Sequence, residues 1–172
     1  MGITNAILVD GNEKRLDLGK KIGAVATLNF MDYPSSEALV EKVKELTGGV
    51  GAGFVFQTTG NAKGFQNAMK FTKRGGGFCE VGFFVELGEV SIDPHKDNLL
   101  QRNYHWLALM HMHLQNIRVT IEMIRRAIEI GIPVSEMVTD WYPLEKIDDA
   151  FKKNMSMEGL KIAVGSKLNI GY

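Results

Sequence analysis

The chain has 172 residues, of which 45% are apolar, so it can bury one ordinary hydrophobic core. Its 20 basic residues balance 20 acidic residues, and without net charge no field would draw it onto nucleic acid or an anionic membrane. The first residues lack a basic leader, and no apolar run approaches the roughly 20 residues that a membrane helix needs. We therefore expect a cytoplasmic protein that binds neither nucleic acid nor membrane.

Short apolar runs that end in glycine or polar residues predict strands buried in a parallel sheet. In chain order they are Ala6–Asp10, Val25–Phe30, Gly53–Gly60, Gly77–Phe84 and Tyr104–Met110, followed by a short strand before Pro143 and a last one at Leu160–Leu168. The single cysteine, Cys79, lies in the fourth run and is predicted to be a small buried hydrophobe.

Apolar residues spaced by three and four predict helices between these strands. The helices are a short one ending near Gly23, one capped by Ser35 or Ser36 and ending at Leu46, one containing Phe65, Ala68 and Met69, one containing Ile117, Ile121, Ile124 and Ile128, and a last one after Pro143. Residues 85–103 are irregular and are predicted to cross the surface. The alternation predicts an α/β fold with a doubly wound, Rossmann-like parallel sheet.

Two glycine clusters follow predicted helices. Gly48–Gly53 precedes a strand and lacks the spacing of a phosphate-binding loop, so we interpret it as a helix stop and turn. Gly75–Gly77 is interpreted in the same way, with Lys73 and Arg74 in the last turn of the preceding helix.

Ligands of open parallel sheets bind outside the carboxyl ends of the strands, which directs attention to Asp10. It ends the first strand where a dinucleotide-binding fold places the acid that binds the adenosine ribose hydroxyls, and a helix-capping aspartate before Gly11 is an equal alternative. A carboxylate there would repel a 2′-phosphate and favour NAD over NADP. Arg15 could stack on adenine or neutralise a phosphate, although a solvated arginine is the commoner case.

Small residues also end the third and fourth strands, at Thr58–Gly60 and Val81–Phe83, as the close approach of a flat cofactor would require. Ordinary turns explain either segment alone. His111 and His113, with His105 nearby, lack the cysteine or carboxylate partners of a metal site, so we expect an exposed pair and no bound zinc. No catalytic nucleophile or paired-carboxylate site is evident.

The segments ILVDGNEKRLDLGKKIGA, LTGGVGAGFVFQTTGN, MKFTKRGGGFCEVGFF and WYPLEKIDDAFKK occur in the order and spacing of the zinc-type medium-chain alcohol dehydrogenases, a family that the chain closely resembles. The resemblance implies an NAD-binding domain. It matches Asp10 to the ribose-binding acid, Arg15 to the basic residue near adenine, Thr59 and Gly60 to the turn on the adenosine side, and Val81, Gly82, Leu109 and Met110 to backbone positions near the nicotinamide.

The sequence departs from the family pattern in two kinds of feature. Gly53 and Gln57 stand where the family usually has acids. The family's catalytic domain, its zinc ligands, and the first strand with its glycine-rich turn do not occur, so residues 1–172 are expected to form one incomplete dinucleotide-binding domain. Such a domain would bind NAD weakly or not at all, and it would be inactive alone.

A missing central strand would leave two backbone edges unpaired, at about 1 to 3 kcal/mol for each buried orphan group. We expect either Leu160–Leu168 or a strand of a second copy to fill that position. Two function classes therefore follow: a cofactor-binding fragment of a dehydrogenase, or a non-catalytic binding or oligomerisation module that retains the fold. A truncated gene product without an independent role is a third.

Overall fold

The computed structural model describes residues 5–82, 89–95, 102–109 and 114–165, in which strands and helices alternate. The strands are β1 (Ile7–Asp10), β2 (Ala26–Asn29), β3 (Ala52–Gln57), β4 (Thr72–Glu80), β5 (His105–Ala108), β6 (Val138–Tyr142) and β7 (Lys161–Val164). The helices are α1 (Glu13–Lys21), α2 (Ser36–Leu46), α3 (Ala62–Phe71), α4 (Leu114–Glu129) and α5 (Ile147–Met155). The predicted α/β class with parallel strands is confirmed.

The chain forms two compact units. The first consists of residues 1–32 and 115–172, and its described strands form the parallel pairs β1–β2 and β6–β7. The second consists of residues 33–114 and contains the parallel sheet β3–β4–β5.

The second unit holds most of the buried apolar residues. Phe78 on β4 is 1% exposed, and its ring lies 5.2 Å from that of Phe65 on α3 and 5.7 Å from that of Trp106 on β5. Helix α2 begins at the N-cap Ser35, whose Oγ accepts from the backbone N–H of Ala38 at 3.2 Å, and it buries Leu39, Val40 and Val43. These apolar contacts hold the strands at the positions from which the site is built.

The first unit packs α1 against β1 at Gly19, where an added Cβ would collide with the side chain of Leu8. Asn12 caps this helix, because its Oδ1 accepts from the backbone N–H groups of Lys14 and Arg15 at 2.9 and 3.3 Å. Its Nδ2 also donates to the carbonyl of Met157 at 2.8 Å. One amide side chain therefore starts α1 and ties it to the segment that follows α5.

Helix α4 carries an apolar stripe that no described residue buries. Ile117, Ile121, Ile124 and Ile128 have the predicted helical spacing, yet each of them is at least 36% exposed. The prediction of the helix is confirmed, and its apolar face remains uncovered.

The interpretation of Gly75–Gly77 as a helix stop is wrong. Helix α3 ends at Phe71, the backbone of Thr72 is already extended, and Lys73, Arg74 and the glycines lie within β4. The register jumps from Ala52↔Thr72 to Phe54↔Gly77, so the additional residues of β4 form a bulge. Glycine is needed there because a Cβ on Gly76 would lie 2.9 Å from the carbonyl oxygen of Lys73.

Of the two candidates predicted for the missing strand, the first, Leu160–Leu168, is wrong for its described strand residues, while a strand of a second copy stays a prediction. Lys161–Val164 pairs with β6 as β7, because the short connection through α5 makes a local parallel unit with β6. Among the described residues, β1 pairs with β2 alone and β3 pairs with β4 alone.

Within the described ranges, no helix is long and apolar enough to cross a bilayer. Of the predicted surface excursion at residues 85–103, the described residues 89–95 form no helix or strand, and residues 85–88 and 96–101 lie outside the described part of the chain.

Gly51 provides a test of this fold. It has φ +94°, and an added Cβ would lie 2.7 Å from the carbonyl oxygen of Phe71, so Gly51→Ala combines backbone strain with a collision. We expect it to lower the free energy of unfolding by about 3 kcal/mol in urea titrations. Gly49→Ala is the control, because φ is +85° but nothing lies within 4 Å, and we expect a loss of about 1 kcal/mol. Equal losses of unfolding free energy in the two variants would contradict the close approach of Gly51 to Phe71.

Cys79 is 1% exposed in β4, which confirms the prediction of a buried thiol. Burial raises the pKa of this thiol above its ordinary value, and Glu80 contributes in the same direction. Because the thiolate is the reactive form, we expect a thiol reagent at pH 8 to label the native protein at least about 100-fold more slowly than the urea-unfolded protein. Similar rates in both states would show that β4 is open to solvent.

Candidate functional site

Three strands of the second unit end side by side. Gln57 of β3 lies opposite Glu80 of β4, which lies opposite Ala108 of β5. The next residues continue the ladder, since the backbone N–H of Val81 donates to the carbonyl of Gln57 at 2.9 Å and that of Leu109 to the carbonyl of Glu80 at 3.0 Å. The register therefore aligns the carboxyl ends where an open parallel sheet binds its ligands.

The side chain of Gln57 organises the turn after β3. Its Oε1 accepts from the backbone N–H of Thr59 at 2.5 Å, and Gly60 follows with φ +61°. The hydroxyl of Thr59 then accepts from the backbone N–H of Asn61 at 3.3 Å, and Asn61 caps α3 through the N–H of Gly64. The chain thus turns from strand into helix within four residues, held by short-range hydrogen bonds.

The turn after β4 is held in the same way. Oε1 of Glu80 accepts from the backbone N–H of Gly82 at 2.5 Å. A Cβ on Gly82 would lie 2.5 Å from the backbone nitrogen of Gly60 and 2.9 Å from the carbonyl carbon of Thr58. The two turns therefore touch, and only glycine fits at position 82.

The structure thus brings together Thr59, Gly60, Val81 and Gly82, with Leu109 at the end of the adjoining strand. Thr59 and Leu109 are exposed, whereas Gly60 is buried by the approach of Gly82. Met110 lies outside the described residues.

Two polar side chains beneath these turns complete the arrangement. Gln57 is 2% exposed, and among the described residues its Nε2 has no hydrogen-bond partner. Oε2 of Glu80 is also buried. From the sequence, Gln57 is only a departure from the family pattern and Glu80 is not predicted as a site residue, although a charged residue inside the apolar run FCEVGF is a visible signal.

Asp10 ends β1 in the first unit, as predicted, but it does not cap α1. The cap is Asn12, whereas Oδ1 of Asp10 accepts from the backbone N–H groups of Gly11 and Asn12 at 2.8 and 2.9 Å. The capping alternative is therefore wrong, because the helix begins two residues later than that alternative requires. Asp10 instead fixes the turn between strand and helix.

The second oxygen of Asp10 faces α1. Its Oδ2 lies 3.4 Å from Nη1 of Arg15, and the two side chains are 25% and 42% exposed, respectively. Gly11 lies against the ring of Phe30, where an added Cβ would be 2.6 Å from Cζ. A partly exposed carboxylate with one oxygen held by the turn can present the other to a ligand hydroxyl, while Arg15 reduces the negative charge around it.

No group of three histidine, cysteine or acidic side chains that could hold a metal ion occurs in the part of the chain that the structure describes. His105 is exposed on β5, and His111 and His113 lie outside the described residues. The expectation that this chain binds no zinc stays a prediction.

Comparison with other proteins shows the same fold in solved dehydrogenases. An alcohol dehydrogenase from Thermotoga maritima has a TM-score of 0.84 and 25% identity, and it covers 95% of this chain and 44% of its own. A protein from Sinorhizobium meliloti 1021, described as a zinc-binding dehydrogenase and bound to NADP, has a TM-score of 0.77 and 22% identity, over 95% of this chain and 45% of its own.

Among curated relatives, the D-arabitol-phosphate dehydrogenase of Enterococcus avium is 26% identical over 152 residues, which are 88% of this chain and 40% of that protein. The chain therefore spans less than half the length of these relatives. Residues 1–127 match the sequence pattern of the zinc-binding dehydrogenases. The chain belongs to the zinc-binding dehydrogenase family, as its sequence resemblance predicts.

Proposed function

We propose that the chain is the NAD-binding domain of a zinc-dependent alcohol or polyol dehydrogenase. The observation that carries this proposal is the aligned edge of β3, β4 and β5, where two turns touch above the buried Gln57 and the half-buried Glu80. Family membership supports it independently.

The edge of the second unit suits a flat ring with polar substituents. Gly82 has no side chain and is only half-buried, so a planar group could approach the backbone of its turn closely, whereas Gly60 is buried against Gly82. Nε2 of Gln57, which has no hydrogen-bond partner among the described residues, is a buried donor that a nearby acceptor would satisfy. We propose that Val81, Gly82, Leu109 and Met110 line the nicotinamide, and that Thr59 and Gly60 lie on the adenosine side.

In the first unit, Asp10 is the proposed ligand of the adenosine ribose. Its side chain is 25% exposed, so Oδ2 could accept from a ribose hydroxyl, and its negative charge opposes a 2′-phosphate. Arg15 lies close enough to weaken that opposition, so we propose a preference for NAD over NADP that is moderate in size. Arg15 is also the proposed contact for adenine.

The nicotinamide would supply hydride transfer to or from an alcohol or carbonyl compound. The residues of this chain would bind and orient the dinucleotide. Zinc ligands of the family pattern do not occur in this sequence, so we propose that the chain alone is inactive. Its cytoplasmic location stays a prediction.

Titration with NADH, followed by its fluorescence, tests Asp10. Asp10→Asn keeps an oxygen for the turn but removes the charge, and we expect the Kd for NADH to rise at least about tenfold because a charge-assisted hydrogen bond is lost. The same substitution should narrow the difference between NADH and NADPH, because repulsion of the 2′-phosphate disappears.

Asp17→Asn is the matched control, since Asp17 is an exposed acid on α1. We expect its Kd for NADH to stay within about twofold of the original value. If Asp10→Asn leaves the Kd unchanged, Asp10 does not bind the ribose; if no variant or original chain binds NADH, the proposed function is wrong.

A second candidate is a binding or oligomerisation module, favoured by the apolar surface around β3. Phe54 and Phe56 are 46% and 59% exposed with ring centroids 4.8 Å apart, although strands of parallel sheets are usually covered on both faces. Among the described residues, the outer edge of β3 is unpaired. Strand pairing between two copies would cover both features.

Sedimentation equilibrium at micromolar concentration tests this candidate against the monomer mass of 19.1 kDa. If copies pair through β3, Phe56→Lys should shift the protein to monomer, because a charge on an edge strand opposes pairing. Phe151→Lys on α5, at 61% exposure, is the control and should leave the mass unchanged. A stable oligomer without affinity for NADH would favour the module, and a monomer that binds NADH would exclude it.

A further inference from the structure

Gln57 and Glu80 are related by the register of the sheet. They lie directly opposite each other at the ends of β3 and β4, and each accepts a hydrogen bond from the backbone N–H two residues further along its own chain segment. Gln57 thereby holds the turn containing Thr59, and Glu80 holds the turn containing Gly82. The same side-chain-to-turn hydrogen bond therefore occurs twice, on neighbouring strands.

The two turns are also in contact. A Cβ on Gly82 would lie 2.6 Å from Oε1 of Gln57 as well as 2.5 Å from the backbone nitrogen of Gly60. Movement of either turn would therefore disturb the other. The positions of the turns are set jointly by the two side chains.

The chemistry of the pair limits which residues can form it. Opposite residues on neighbouring strands lie about 4.8 Å apart at the backbone, so side chains on the same face are close. Nε2 of Gln57 and Oε2 of Glu80 are both buried, where two carboxylates would repel each other strongly. An amide opposite an acid keeps two acceptor oxygens for the turns but only one negative charge.

We propose that Gln57 and Glu80 are paired positioning residues, which hold the turns at Thr58–Gly60 and Val81–Gly82 for the cofactor, and that only one of the two can be an acid. The role toward the cofactor rests on the proposed function. The pairing of the two residues does not depend on the proposed function. The acid can occupy either strand, so exchanging the two residues should preserve the arrangement.

A double-mutant cycle on the full chain tests the pairing through thermal unfolding. Gln57→Glu should lower Tm by about 6 °C because it adds a second buried carboxylate, whereas Glu80→Gln alone should cost about 2 °C or less. Combining the two changes exchanges the amide and the acid, and Tm should return to within about 3 °C of the original.

The control combines Gln57→Glu with Glu41→Gln, which removes an acid that is 69% exposed on α2. This variant should retain the full loss of Tm. The pairing would be overturned if the losses of Tm from the two single changes add up in the exchanged variant. It would also be overturned if Tm recovers equally in the control. If Gln57→Glu does not fold, a folded exchanged variant still supports the pairing and an unfolded one overturns it.

NADH titration below all unfolding transitions tests the positioning role. The Kd should rise about tenfold in Gln57→Glu and return to within about threefold of the original in the exchanged variant. Coupling in Tm without any change in Kd would show that the pair only stabilises the fold. Failure of the original chain to bind NADH would contradict the proposed function, while the Tm cycle would still decide whether the pair exists.

Discussion

Backbone hydrogen bonding in parallel register between β3, β4 and β5 is the interaction on which the rest of the second unit depends. It places Gln57, Glu80 and Ala108 side by side, and the bonds from Val81 and Leu109 extend the alignment past the strand ends. Because neighbouring parallel strands run in the same direction, the turns that leave them emerge at one edge. Sheet geometry therefore places the candidate site at that edge before any loop is considered.

Buried packing keeps this edge in place. Phe78 lies beneath α3 and beside Trp106, so the middle of β4 is anchored by aromatic contacts while its end carries polar groups. On β4 the buried Phe78 and Cys79 are followed directly by the half-buried Glu80, whereas on β3 the buried Gln57 follows the exposed Phe56. Buried polar groups cost stability unless they are hydrogen-bonded, and here each side chain accepts from a turn N–H. These bonds offset the cost at the Oε1 atoms of Gln57 and Glu80, and they also shape the candidate site.

The first unit uses related means with different residues. Asp10 holds a turn through two backbone N–H groups, and Asn12 both starts α1 and bonds the carbonyl of Met157. In contrast, the isoleucine stripe of α4 is uncovered, as are Phe54 and Phe56 in the second unit. Exposed apolar surface of this extent indicates contacts beyond those that the described residues provide.

The sequence by itself predicted the α/β class, the order of its elements and the family, because apolar periodicity and capping residues act over a few neighbours. It also placed Asp10 and the turns after β3 and β4 at strand ends. It misjudged Gly75–Gly77, since a bulge depends on how β4 pairs with β3. Of its two candidates for the missing strand, Leu160–Leu168 pairs with β6 instead through the described residues Lys161–Val164.

Only the tertiary structure decided that Asn12, which caps α1, also bonds the carbonyl of Met157, and that Gln57 faces Glu80. The two residues of that pair are separated by more than twenty positions along the chain, so no local pattern could relate them. Parallel register brought them together. Gln57, which from the sequence is only a departure from the family pattern, thereby has a partner and a role that can be tested.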